Sequence, residues 1–352
     1  MGAKDYAIVV GISKYPALGD LAGPEADALD FHAWLIDPQG GNVPKENVTL
    51  LLSSNYPAAA QLKAKPQVAD IEAVFDDFVV KGRDEGSVGD RLYLYLAGHG
   101  FAPSLEDAAL LMANASRGMT GYHIPGRKYA NWFRQAAFFK EVVLFMDCCR
   151  ENYQLSAMRN VPYDPMNGDP PATPFFAFAT QWSRAAREGP WGEGGAMRGL
   201  FTLALLAGLR GGAARDANGQ IPGDALESFV FNFVRKRFTE GSDQEEHPDP
   251  EFSYDKMKPL VFGAPGAAPD AAAPASADAY IVRIAIKNGD AGKKLTLSTN
   301  GKADIAPAVQ QPDKWEWHLD MAGLYKVTRS DGKSKLFEVI GEKKEAIDVS
   351  FD

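Results

Sequence analysis

The 352-residue sequence has only two cysteines, and they are adjacent: Cys148 and Cys149. Neighbouring thiols cannot staple distant segments, so a disulfide framework is excluded, as is a zinc site built on several thiolates. No run of 18 uncharged apolar residues occurs, which leaves no candidate membrane-spanning helix. Positive charge is in the minority, with 37 Lys and Arg against 46 Asp and Glu and a net charge of −9. Such a surface lacks the clustered cations that phosphate backbones require, which argues against nucleic acid as the main partner. Neither the P-loop nor the dinucleotide glycine pattern is found, and no internal repeat is seen. The opening MGAKDYAIVVGIS has no basic leader region, no cleavage site and no myristoylation pattern, so the expected compartment is the cytoplasm, where free thiols persist.

What is present is a large buriable surface. Apolar residues make up 45% of the chain and include 20 Phe, 12 Tyr and 6 Trp, too many for a disordered protein. The length suits either one α/β domain with an appendage or two domains. The Ala- and Pro-rich stretch 263–279, GAPGAAPDAAAPASADA, has no apolar periodicity and reads as a linker. It divides the chain into an expected domain at 1–262 and a smaller one at 280–352.

Before the linker, short apolar runs alternate with helical patterns. Strands are expected at Tyr6–Ile12, Val48–Leu52, Arg91–Ala97, Val142–Asp147, Phe175–Thr180 and Pro259–Phe262. Most are continuous rather than alternating, as in strands covered on both faces. Val68, Ile71, Val74, Phe75 and Phe78 recur at helical spacing, as do Leu226, Phe229, Val230, Phe233 and Val234. Pro24–Asp37 and Leu200–Arg210 are shorter helix candidates. This alternation predicts a mostly parallel six-stranded sheet flanked by helices. After the linker, strand-like pieces punctuated by Asn-Gly and Asp-Gly predict a small antiparallel β-sandwich without helices.

Ligands of parallel sheets bind beyond the carboxyl ends of the strands. Two such ends carry reactive residues: RLYLYLAGHGF, with His99 and Gly100, and EVVLFMDCCRE, with Asp147, Cys148 and Cys149. If the strands are parallel neighbours, His99 and Cys149 face each other across the top of the sheet. A free thiol is mostly protonated at neutral pH, and a histidine within reach can take its proton and later deliver it to a leaving amine. The backbone N–H of Gly100, with that of the cysteine, would form an oxyanion hole. Either residue alone is more often packing or a turn than a catalyst; the two together, His first and Cys 50 residues later, carry the signal.

The ordered set of motifs resembles the caspase-like cysteine peptidase family, in particular its bacterial, metacaspase-like branch. YAIVVGISKYP with LAGPEADALDFHAWL is similar to the first strand and helix, LYLYLAGHG to the histidine strand and VVLFMDCC to the Asp-x-Cys strand. FFAFATQWSRAARE with RGLFTLALLAGLRG is similar to the start of the small-subunit half, and DPEF with PLVFG to its end. The resemblance implies His99 and Cys149 as the catalytic dyad, with Cys148 facing the other way. It implies Asp27 and Asp147 as the S1 carboxylates that select Arg or Lys at P1, and a role in bacterial defence or regulated cell death. Departures exist: Ala97 stands where a serine is usual, Asp147-Cys148-Cys149-Arg150-Glu151-Asn152 differs after the cysteine, and Ser156 stands where calcium-binding acids would follow. No cofactor is expected, and calcium dependence has no support in the sequence. The segment 150–174 takes the place of the family's processing loop, or is a plain surface loop. Trp182 is a candidate wall of the S2 pocket; His32, His123, His247 and His318 lack ligand-like neighbours. The expected partners are protein substrates with Arg or Lys at P1, and a regulatory or recruited protein at 280–352. The competing reading is an inactive caspase-like scaffold whose β-domain binds a partner.

Overall fold

The computed structural model describes residues 4–151, 157–191, 195–239, 248–263, 280–286, 293–299, 302–305, 307–311, 314–319, 323–339 and 346–351. It divides into two compact units, Met1–Gly266 and Ala267–Asp352. The expected linker lies, Gly263 apart, outside the described residues.

In chain order the first unit contains β1 (Tyr6–Gly11), α1 (Pro24–Ile36), β2 (Val48–Leu52), α2 (Val68–Glu85), β3 (Gly89–Ala97), β4 (Gly100–Phe101), β5 (Ala109–Leu111), β6 (His123–Ile124) and α3 (Gly126–Ala136). It continues with β7 (Phe139–Asp147), β8 (Thr173–Phe178), β9 (Glu188–Gly189), β10 (Arg198–Gly199), α4 (Leu200–Ala207), β11 (Ile221–Pro222), α5 (Gly223–Thr239), β12 (Glu251–Tyr254) and β13 (Val261–Phe262). The main sheet runs β12-β8-β7-β3-β1-β2. All its pairs are parallel except β12 with β8.

Successive side chains of a strand face opposite sides of its sheet, which is why these strands read as continuous apolar runs. In β3, Leu92, Leu94 and Leu96 enter one core with Ile71, Phe75 and Phe133 of α2 and α3. Tyr93, Tyr95 and Ala97 enter the other, with Phe31 of α1, Leu205 of α4 and Val230 of α5. Helix α2 ends where Gly86 takes a left-handed conformation (φ +76°), a backbone state suited to glycine.

The sixth strand of the sheet is Glu251–Tyr254 rather than the expected Pro259–Phe262. The latter contributes only β13, which pairs with β11 and is held by Arg91, whose Nη2 donates to Val261 O at 3.0 Å. EFSY is short, half-buried and amphipathic, so its apolar signal is weak. Helix α3 also went unforeseen: GRKYANWFRQA starts with no side-chain N-cap, and its burial of Tyr129, Trp132 and Phe133 comes from tertiary packing.

The described part of the segment after the Asp-x-Cys strand, residues 157–174, is no plain surface loop. Met158, Val161, Tyr163 and Met166 pack on the first core. Tyr163 donates to Asp76 at 2.7 Å, Trp132 Nε1 to Asp164 O at 3.0 Å, and the Arg159 N–H to His123 Nε2 at 3.0 Å.

The second unit comprises β14 (Tyr280–Ile286), β15 (Leu295–Thr299), β16 (Lys302–Ile305), β17 (Val309–Gln310), β18 (Lys314–Leu319), β19 (Gly323–Arg329), β20 (Ser334–Val339) and β21 (Ala346–Phe351). Two four-stranded sheets, β17-β18-β14-β21 and β16-β15-β19-β20, share a core with Val282, Leu297, Trp317 and Val327. The one departure from the expected antiparallel pattern among described residues is β14 with β21, which pair in parallel. Among the described residues no helix is long and apolar enough to cross a membrane.

Candidate active site

Strands β3 and β7 are parallel neighbours in register up to Ala97–Asp147. His99 and Cys149 therefore each stand two residues past the same rung. Past that rung the chains diverge into different loops, and each residue is held by its own neighbours.

His99 is fixed by a tyrosine and a carbonyl. Its backbone N–H donates to Tyr15 Oη at 3.0 Å, and Tyr15, fully buried, donates in turn to Leu111 O at 3.0 Å. The Tyr15 and His99 rings meet edge to face, centroids 4.7 Å apart. Gly98, at φ +152°, has no room for a side chain, since a β-carbon there would lie 2.3 Å from Tyr15 Oη. The His99 Nε2 atom lies 2.9 Å from Gly19 O. A carbonyl only accepts, so Nε2 carries the hydrogen and Nδ1 is left as the basic nitrogen.

The two cysteines have different environments. Cys148 is buried in the first core, and its Sγ donates to Ala109 O at 3.9 Å. A β-carbon on Gly100 would come within 2.6 Å of that sulfur, so Gly100 and Cys148 are mutually required neighbours. Burial pushes the Cys148 thiol far above its ordinary range. Cys149 is half-buried, and its Sγ donates to Ala186 O at 4.0 Å. Burial, with Glu151 and Asp147 adding to it, pushes this thiol up to about 11 against the opposing contact with Ala186. No hydrogen bond joins the His99 ring to Cys149 among the described residues.

Gly100 pairs with Leu110, while Leu111 N donates to His99 O at 2.8 Å. Gly100 is thus at a non-hydrogen-bonded position of the β4–β5 ribbon, and its N–H points away from β5.

Asp27 and Asp147 are brought together. A β-carbon on Gly199 would lie 2.3 Å from Asp147 Oδ2 and 2.9 Å from Asp27 Oδ2, so the carboxylates flank that glycine. Asp27 Oδ2 accepts from Gly199 N at 2.7 Å, and its Oδ1 accepts from Arg198 Nε. Asp147 Oδ2 accepts from Thr202 Oγ1 at 2.6 Å and from Thr202 N at 3.1 Å. Asp147 Oδ1 has no hydrogen-bond donor among the described residues. Glu188 stands close by, accepting from Gly23 N at 3.0 Å. Burial holds both aspartates above the ordinary carboxylate range; the negative charge of Asp147 adds to the rise of Asp27, and that of Glu188 to the rise of Asp147. Asp27 as a mere helix-start charge is not what is seen, since it is 1% exposed and turned toward β10.

Several contributors were not foreseen. Arg150 is completely buried and reaches four residues: Nη1 to Glu251 Oε2 at 2.6 Å and Thr180 O at 3.4 Å, Nη2 to Leu105 O at 2.7 Å and Asp107 O at 3.3 Å. Its guanidinium also lies 4.7 Å from the centre of the Phe178 ring. Arg198, Thr202, Glu188 and Tyr15 are the others. Trp182 Nε1 donates to Ala102 O at 3.2 Å, which fixes its ring near the β4 end. His123 is buried with both ring nitrogens engaged, Nδ1–H to Thr120 O at 2.6 Å and Nε2 accepting from Arg159, a structural role. His32 is half-buried on α1, and His318 Nε2 lies 2.8 Å from Glu316. His247, Asn152 and Ser156 lie outside the described residues. Among the described residues no group of three or more His, Cys, Asp or Glu is placed to hold a metal ion.

A family model described as "Caspase domain" matches residues 4–258. A protein named as a probable protease, from a Desulfuromonadales bacterium, is 33% identical over 223 residues, which are 59% of this chain and 26% of that relative. The chain thus spans about a quarter of that relative's length. Among solved structures, caspase-1 from Spodoptera frugiperda shares 16% identity at a TM-score of 0.48, covering 75% of this chain and 92% of that one. The structure of pro-sf-caspase-1 shares 17% identity at a TM-score of 0.43, covering 74% of this chain and 94% of that one.

Proposed function

The chain belongs to the caspase domain family, and from that premise we propose that it is a cysteine endopeptidase that cleaves protein substrates after Arg or Lys, with Cys149 as nucleophile and His99 as general base and acid. The observation that carries this reading is the shared register of Ala97 and Asp147, which sets His99 and Cys149 at matching positions on adjacent strand ends.

The chemistry follows from the hydrogen bonds. With Nε2–H held by Gly19 O, the His99 Nδ1 takes the Cys149 proton as the sulfur attacks the scissile carbonyl carbon. The C–S bond forms, and the carbonyl π electrons move to the oxygen, which accepts from the N–H groups of Gly100 and Cys149. The tetrahedral centre collapses, the C–N bond breaks, and the departing amine takes the proton from His99. Water, deprotonated by His99, then hydrolyses the thioester and returns the thiol. The raised thiol pKa fits proton transfer in step with attack rather than a resident thiolate. Asp27 and Asp147 form the floor of S1, where anionic groups offset the cost of burying a cationic P1 side chain.

The test is hydrolysis of fluorogenic peptides ending in Arg, Lys or Asp, together with labelling by an arginyl chloromethyl ketone. Cleavage after Arg or Lys, and a label on Cys149 that His99→Ala prevents, is the expected result. A folded protein that neither cleaves nor takes the label would identify an inactive scaffold. By family analogy the setting is bacterial defence or regulated cell death, tested by whether expression of wild type, but not Cys149→Ala, kills phage-challenged host cells.

A further inference from the structure

Arg198 sits where a substrate cation would be expected to bind. It lies on β10, beside Gly199, which separates the two S1 carboxylates. Its Nε donates to Asp27 Oδ1, and its Nη2 pairs with Asp30 Oδ2 at 2.8 Å. Asp27 and Asp30 are three residues apart on α1, hence on one helix face, and Arg198 spans both. The Arg198 side chain is 13% exposed, so the pairing is not a loose surface contact.

The consequence is an unequal pair of carboxylates. Asp27 has one oxygen on the Gly199 N–H and the other on a resident guanidinium. Asp147 has one oxygen saturated by Thr202, while Oδ1 accepts from nothing among the described residues. Asp147 is 8% exposed, so this acceptor is shielded from bulk water but not sealed off.

We infer that Arg198 is a specificity-determining residue: by occupying Asp27 from within the chain, it leaves Asp147 Oδ1 as the one oxygen of the Asp27–Asp147 pair open to the P1 cation. This rests on the S1 reading above. Arginine gains over lysine where its planar fork meets paired acceptors, whereas an ammonium is satisfied by a point contact. A pocket with one open oxygen therefore separates Arg from Lys weakly. Freed of Arg198, Asp27 Oδ1 and Asp147 Oδ1 together would offer a two-oxygen cradle that suits a guanidinium.

The experiment compares matched peptides with Arg, Lys or citrulline at P1 on wild type, Arg198→Gln and Asp30→Asn. Wild type is expected to cleave Arg and Lys peptides at rates within about tenfold of each other. Arg198→Gln should raise the Arg:Lys ratio of kcat/KM by about tenfold, mainly through KM for the Arg peptide. Asp30→Asn, which loosens the same guanidinium while keeping Arg198, should move the ratio the same way by less, and it decides the matter if Arg198→Gln does not fold. A folded variant with an unchanged Arg:Lys ratio overturns the inference and leaves S1 standing. Wild type that prefers citrulline, or cleaves neither basic peptide, overturns the S1 reading itself, and Arg198's role with it.

Discussion

Arg150 Nη1 lies 2.6 Å from Glu251 Oε2, an ion pair between a fully buried guanidinium and a half-buried carboxylate that joins the residue after the candidate nucleophile to the antiparallel edge strand β12. Glu251 also faces Arg127, whose Nη1 is 3.5 Å from Oε1. Through this pair the chain, 101 residues on from Arg150, closes back on the tip of β7, so the position of the candidate nucleophile depends on a strand far along the chain.

Removing Glu251 leaves the fully buried Arg150 charge without its counter-ion, and removing Arg150 takes away all four of its contacts at once. Glu251→Gln or Arg150→Ala is expected to cost roughly 3–5 kcal/mol of stability, read by urea or thermal melts. Arg150→Lys should not restore it, since one ammonium cannot reach Glu251, Thr180 O, Leu105 O and Asp107 O together. A melt of Arg150→Ala within experimental error of wild type would remove the pair from the account of the fold.

The cysteines should separate cleanly. Cys149→Ala is expected to abolish peptide hydrolysis with little change in melting. Cys148→Ala should keep most turnover while costing about 1–2 kcal/mol, because it empties the space beside Gly100. The reverse outcome, an inactive Cys148→Ala and an active Cys149→Ala, would overturn the assignment.

Thiol chemistry in the free protein should follow pH in the alkaline range. With Cys149 pushed up to about 11, alkylation by iodoacetamide is expected to be slow at neutral pH and to climb about tenfold per pH unit until near that value. The modified site, found by peptide mapping, should be Cys149, as Cys148 is 2% exposed. Fast alkylation that is flat from pH 6 to about pH 8 would indicate a resident thiolate–imidazolium pair and contradict the hydrogen bonding of His99 and Cys149.

Acid should weaken the binding of basic substrates earlier than ordinary carboxylates would predict. Burial raises Asp27 and Asp147, so protons neutralise them at a higher pH than usual, and a P1 cation loses its counter-charge as pH falls toward and below neutrality. KM for an Arg-P1 peptide is expected to rise on acidification, and Asp147→Asn should remove most of that dependence along with the preference for Arg or Lys. A KM constant down to about pH 5 would show that these carboxylates do not meet P1.

Much of this architecture was legible in the sequence because it is written locally. The covered strands ending at Ala97 and Asp147 announce themselves by continuous apolar runs, and His99 and Cys149 by the breaks that follow. What escaped is what folding brings together from afar. Asp27 and Arg198 are 171 residues apart, and Arg150 and Glu251 are 101 apart. No spacing rule links them, and a buried arginine looks in sequence like any surface cation. The sixth strand was misplaced for a related reason: Pro259–Phe262 is the more apolar run, but an edge strand needs only partial cover, and Glu251–Tyr254 gets it by laying Phe252 and Tyr254 against the second core.

The C-terminal β unit should be separable from the caspase-domain unit. Both cores of the first unit are built from residues up to Phe262, and the β-unit core is built from Val282 onward. Gln220 Nε2 donates to Gly263 O at 3.0 Å, so a cut must follow that residue. A chain ending at Gly266 keeps this bond and both cores, and it is expected to melt cooperatively and to hydrolyse an Arg-P1 peptide at the full-length rate. Normal melting with loss of all turnover would instead make the β unit part of the mechanism, and a rise in turnover would make it inhibitory. The outcome expected is unchanged peptide cleavage with slower cleavage of a protein substrate. On the proposed reading a peptide needs only the strand ends and the Asp27–Asp147 pair, all within the first unit, whereas a folded substrate gains from a second attachment point. Adding the isolated 280–352 unit in trans should then compete with protein cleavage by the full chain and leave peptide cleavage untouched.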